Sequence, residues 1–86
     1  MKYPLTANGT TATHRAAKAL VRGTGTFGGG TVTLEYFDAG ANEWIASRVT
    51  YTENFDDIVE FPTSVEMRLT LSGATTPNLE LGIISG

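Results

Sequence analysis

Gly23-Thr24-Gly25-Thr26-Phe27-Gly28 spells G-x-G-x-x-G, the pattern in which glycines let backbone N–H groups close around a pyrophosphate. That chemistry needs a strand before the glycines and a helix N-terminus after them. Here Gly29, Gly30 and the β-favouring run Thr31 to Phe37 follow instead. A kinase-type glycine loop does lie between strands, but the lysine, catalytic-loop and metal-binding motifs that accompany it are absent from the sequence. Glu53, Asp56, Asp57 and Glu60 bring oxygen donors of the kind calcium takes. They lack the D-x-D-x-D-G framework, and a solvated acidic loop accounts for them, so no metal or other cofactor is assigned. His14 is the sole imidazole and lies in the N-terminal segment, far in sequence from the carboxylates, so a Ser-His-Asp arrangement would have to be assembled from a mobile arm. The expectation is a protein that is not an enzyme. Trp44, Tyr36 and Tyr51 could offer stacking faces to sugars or bases, or could simply be core.

The elements that would carry these residues are extended. Val32, Leu34 and Tyr36 alternate with Thr33 and Glu35, which predicts a half-buried strand entered through a bend at Gly28-Gly29-Gly30. The cluster from Asp38 to Glu43 predicts a turn, and Trp44 to Tyr51 a second strand completing a hairpin. On that strand Trp44 faces away from Ile45, Val49 and Tyr51, where it would cover an edge or meet a partner. Ile58 to Phe61 predicts a short strand stopped by Pro62.

Val65, Met67, Leu69 and Leu71 alternate with Glu66, Arg68, Thr70 and Ser72, and after a turn Leu79, Leu81 and Ile83 resume the pattern. His14 to Arg22 reads two ways. Ala16, Ala17, Leu20 and Val21 would share a helical face between Thr13 and Gly23, whereas Ala17, Ala19 and Val21 alternate as a strand; the β-like sequence downstream favours the strand. Six short strands with turns between predict an all-β fold, a small antiparallel β-sandwich or jelly-roll-like barrel over residues 16–86. The proposed core is Val21, Val32, Leu34, Tyr36, Ile45, Val49, Ile58, Phe61, Met67, Leu69, Leu71, Leu79, Leu81 and Ile83. Residues 1–15 carry no apolar periodicity and read as an extended N-terminal arm.

At 86 residues without cysteine, the chain is one domain with a modest core and no disulfide to reinforce it, so oligomerisation or docking is the expected support. No apolar run is long enough to span a membrane, and the first residues lack the apolar centre of a signal peptide, so synthesis in a cytoplasm is expected. Asn8-Gly9-Thr10 matches a glycosylation sequon but reads as a polar turn. The net charge of −3 is unevenly spread. Lys2, Arg15, Lys18 and Arg22 precede every acid, and all nine carboxylates follow Leu34. A basic arm on an acidic body suits docking to a protein surface. The acidic body argues against nucleic acid, although the arm alone could touch phosphates.

An extended polar arm, then GTGTFGGGTVTLEYFDAGANEW from Gly23 to Trp44, then MRLTLSGATTPNLEL from Met67 to Leu81, resembles the small β-sandwich virion proteins of tailed bacteriophages. The shared features are a TFGG-type bend, a TVTL strand, an aspartate/glycine turn before a tryptophan, and a terminal SGAT turn. The resemblance covers residues 15–86, and its motifs are structural. It implies a head decoration, or cement, protein: a homotrimer bound to the major capsid protein on the virion exterior, made in the host bacterial cytoplasm. Under that reading Lys2, Tyr3, Pro4, Leu5, His14 and Arg15 form the capsid- or subunit-contact arm, with Lys18 adding charge, and Trp44 is a surface contact. The competing expectation is a fibre or tail-associated module that binds host glycan through Trp44 and Tyr51. A weaker third is a piece of the head-to-tail connector.

Overall fold

Period-two alternation governs the molecule. The computed structural model describes residues 2–85, which form seven strands and no helix: β1 Lys2–Leu5, β2 Gly9–Thr10, β3 His14–Thr26, β4 Thr31–Asp38, β5 Glu43–Tyr51, β6 Phe55–Ser72 and β7 Asn78–Ser85. Every pairing is antiparallel, in the order β1-β7-β3-β6-β4-β5, with β2 added beside β6. Hydrogen bonding therefore joins all the strands in one open sheet, where the sequence suggested two separate sheets or a closed barrel.

The sheet nevertheless has an inside. Val21, Leu81 and Ile83 on one half and Val32, Met67 and Leu69 on the other are fully buried in one shared cluster. A flat sheet leaves both faces wet, so the two halves must curl toward each other. The hinge is β6, whose first part pairs with β3 through Glu60↔Lys18 and Phe55↔Gly23, while its last part pairs with β4 through Met67↔Tyr36 and Ser72↔Thr31. Burying each larger side chain of the cluster is worth about 1.5–3 kcal/mol.

The sequence predicted that Pro62 would end a strand. It does not: β6 runs through it. Between Ala16↔Val65 and Lys18↔Glu60 the ladder slips, so that residues 61–64 stand opposite Ala17 alone. Inside such a bulge the missing proline N–H leaves no ladder bond unmade. The slip also changes which side chains of β3 face inward, from Ala16 to Ala19 and Val21. Of the expected core, Ile58 is wrong, being 63 % exposed while its neighbour Val59 is buried. A shift of one residue in a strand exchanges the faces. Tyr36 and Ile45 are only half-buried and lie outside the core cluster.

Residues 1–15 do not stand off as an arm. Lys2 to Leu5 pair with Gly82 to Leu79, and Tyr3 and Leu5 pack against the core. The Asn8 amide clasps Ala74 with both of its ends, donating from Nδ2 to the carbonyl at 3.1 Å and accepting the N–H on Oδ1 at 2.8 Å. Thr11 is buried and continues the β2–β6 ladder by one residue. Its N–H donates to the Leu69 carbonyl at 2.9 Å, and its hydroxyl accepts the Leu69 N–H at 3.0 Å. Polar side chains here replace the apolar alternation that marks the other strands. Met1 lies outside the described residues.

Candidate functional site

Three surfaces hold the residues that could do chemistry. The first is the glycine motif. Gly30 donates its N–H to the Phe27 carbonyl at 3.0 Å across Gly28 and Gly29, which have φ of 62° and 76°. Positive φ at both central residues is the type I′ turn geometry that selects glycine. The Gly25 N–H donates to Asn54 Oδ1 at 3.1 Å. The Gly25 N–H inside the motif and the Gly30 N–H just beyond it are thus already occupied, and Glu53 lines the hollow of about 460 Å³ beside them with negative charge. The motif serves to turn the chain.

The second surface is the outer face of β6, β4 and β5. Register places Glu35 opposite Arg68 and Ala46, and Phe37 opposite Trp44. Arg68 Nε donates to Glu35 Oε1 at 2.7 Å, and the Thr70 hydroxyl donates to the same oxygen at 2.7 Å. Burial by itself would raise the Glu35 carboxyl, but the Thr70 hydroxyl and the Arg68 guanidinium together outweigh it and hold it below the ordinary carboxylate value. The Arg68 guanidinium also lies 4.0 Å from the centre of the Trp44 ring, a cation–π contact, and Phe37 meets that ring edge-on at 5.5 Å. Trp44 is half-buried in this arrangement.

The third is a cleft of about 320 Å³ at one end of the molecule, lined by Arg15, Tyr36, Phe37, Asp38, Thr63 and Ser64 among others. The β6 bulge supplies Thr63 and Ser64, and the hairpin turn supplies Asp38. Asp38 Oδ1 accepts the N–H groups of Gly40 and Ala41 at 3.0 and 3.2 Å and so fixes that turn. Phe37 belongs both to the cleft and to the Trp44 cluster. It therefore brings Arg15 and Trp44, two of the sequence-predicted contacts, into one neighbourhood.

The other predicted residues are dispersed. Pro4 is exposed on β1, and Tyr3 and Leu5 turn toward the core, so these three cannot act as one contact strip. His14 is half-buried opposite Met67, and Lys2 is paired through its backbone with Gly82. Trp44 and Tyr51 do not form one stacking platform. Tyr51 stacks on Phe55 at 3.7 Å and donates its hydroxyl to Asp57 Oδ2 at 2.8 Å. Burial first, and the Asp57 carboxylate second, raise the Tyr51 phenol well above its ordinary value. Among the described residues, no group of three or more acids and histidines converges in a way that could hold a metal. No described helix is long and apolar enough to cross a membrane.

Sequence reasoning missed the Glu35–Arg68–Thr70 cluster because its members are 33 and 35 residues apart and meet only through strand register. The alternation of Glu66, Arg68 and Thr70 opposite the apolar positions was the available signal. Compared with known proteins, the chain matches no family model, no curated protein and no solved structure.

Proposed function

We propose that this chain is a structural virion protein that binds the outer surface of a bacteriophage capsid and reinforces the shell, a homotrimer being the arrangement its resemblance implies. The observation that carries the reading is that two segments behind the resemblance, distant in sequence, form one unit. The TFGG bend and the SGAT turn meet at one end of the molecule, where Thr75 donates its N–H to the Gly28 carbonyl at 2.9 Å and Gly30 packs tightly against Ala74. A protein that touches several capsid subunits adds its own binding energy to the work of separating them. The capsid contact is assigned to the end where Arg15, Phe37 and Trp44 adjoin, in place of a free arm.

The test starts from purified particles. Mass spectrometry is expected to find the protein in finished virions, and particles stripped of it are expected to rebind wild type but bind Arg15→Ala and Trp44→Ala more weakly. Absence from finished virions overturns the proposal. Equal rebinding of all three proteins overturns the assigned surface.

A second reading draws on the cleft itself. Aromatic rings beside an arginine, a carboxylate and two hydroxyls are the groups with which proteins hold a sugar ring. A glycan array distinguishes it: selective binding that is lost with Arg15→Ala favours a host-glycan module, and a blank array removes that reading.

A further inference from the structure

The half of the sheet made by β7, β3 and the first part of β6 has an outer face that no described strand or loop covers. Register sets Ile58 opposite Leu20 and Leu20 opposite Ile84, so three aliphatic side chains form one row across three strands. Ile58 is 63 % and Ile84 51 % exposed, the two large apolar side chains the molecule leaves most open among the described residues. The rows on either side are charged. Lys18 stands opposite Glu60 on one side, and Arg22 opposite Asp56 on the other. In each row the cation lies on β3 and the acid on β6. Among the described residues, no ion pair joins Lys18 to Glu60 or Arg22 to Asp56, and Arg22 leans instead toward Glu80 at 3.8 Å.

We propose that this face binds a second copy of the same chain, face to face, about a two-fold axis that runs parallel to the strands midway between β3 and β6. That operation lays β3 of each copy on β6 of the other. It places Lys18 over the other copy's Glu60, Arg22 over Asp56 and Leu20 over Ile58, all at once. An isologous contact demands such self-complementarity of a single patch, and basic β3 beside acidic β6 supplies it. No other partner is specified so fully by the patch itself.

The size of the patch sets the strength. With the axis midway between β3 and β6, only those two strands of each copy overlap, and Ile84 on β7 flanks the overlap. Two strands at about 4.8 Å spacing and five residues at about 3.3 Å cover roughly 10 by 17 Å. That is well under the 800 Å² or so per partner of a standard stable interface. The pair is therefore weak in dilute solution and forms where copies are crowded, as on a shared surface. It does not depend on the capsid reading, and it is distinct from any threefold arrangement.

The experiment is sedimentation equilibrium on the full chain from about 10 µM to about 1 mM, a range whose upper end reaches millimolar pairing. Wild type is expected to move from monomer to dimer mass. Ile58→Lys is expected to remain monomeric at every concentration. Lys18→Glu alone and Glu60→Lys alone are each expected to lose the dimer, and an equimolar mixture of these two variants to regain it. Circular dichroism and melting curves establish that each variant is folded; for any that is not, wild type at high salt, where the dimer is expected to weaken, is measured in its place. A wild type that is monomeric throughout, an Ile58→Lys dimer as strong as wild type, or a mixture that stays monomeric while wild type pairs would overturn the proposal. Because no capsid is present, loss of capsid binding by the wild type leaves this result untouched.

Discussion

Gly28 and Gly29 sit side by side in the same turn with φ of 62° and 76°, yet they are not equivalent. A Cβ on Gly29 would meet nothing within 4 Å, whereas one on Gly28 would collide with the Thr75 carbonyl oxygen. Gly29→Ala should therefore cost about 1 kcal/mol, the strain of a left-handed backbone, and Gly28→Ala about 3 kcal/mol or more because the SGAT turn must also move. Equal melting temperatures for the two variants would show that the turns are not braced against each other. Glu35 offers a pH test. Its carboxyl is held below the ordinary value of 4.5, so its stabilising contribution is complete above that pH and is lost as the pH falls through the lowered value. Glu35→Gln should be less stable than wild type by about 1 kcal/mol at neutral pH. The gap should close in acid; a gap independent of pH in denaturant melts would remove the ionised carboxylate from the explanation.

At the scale of elements, the N-terminal residues decide more than their composition suggests. Deleting residues 1–13 removes β1 and β2, uncovers core beside Tyr3 and Leu5, and leaves the Leu69 N–H without its Thr11 acceptor. An orphaned buried donor alone costs about 1–3 kcal/mol. Together with the lost burial, the deletion should lower the melting temperature by more than about 10 °C. A shift of only a few degrees would restore these residues to the status of an appendage. The strands β4, β5 and β7 were legible because their apolar positions alternate cleanly. Thr11 and Asn8 were not, because a side chain that hydrogen-bonds the backbone leaves no periodic trace. The joining of two predicted strands into β6 was hidden for a related reason: Pro62 is a stop signal in a regular ladder and harmless in a bulge, and only pairing with Ala16 and Lys18 tells them apart. Ile58 was misplaced because it and Phe61 were both taken as inward although they lie three residues apart; Val59 and Phe61, two apart, share the inward face.

For the molecule as a whole, the all-β class followed from the sequence, while the single curled sheet did not. Whether two runs of strands join or merely face each other depends on which backbone groups meet, and alternation is silent on that. The candidate site was legible as isolated residues, Arg15 and Trp44, without Phe37, which connects them. Almost every neighbour in this sheet is remote along the chain: β1 needs β7, β2 and β3 need β6, and only the β4–β5 hairpin finds its partner next door. During synthesis the first thirty or so residues accordingly leave the ribosome with nothing to pair with until Phe55 and its successors have been added. Their many threonines, alanines and glycines give that waiting segment little large apolar surface, so the composition that disguised β1 and β2 is also what lets the nascent chain linger unpaired without clinging to its neighbours.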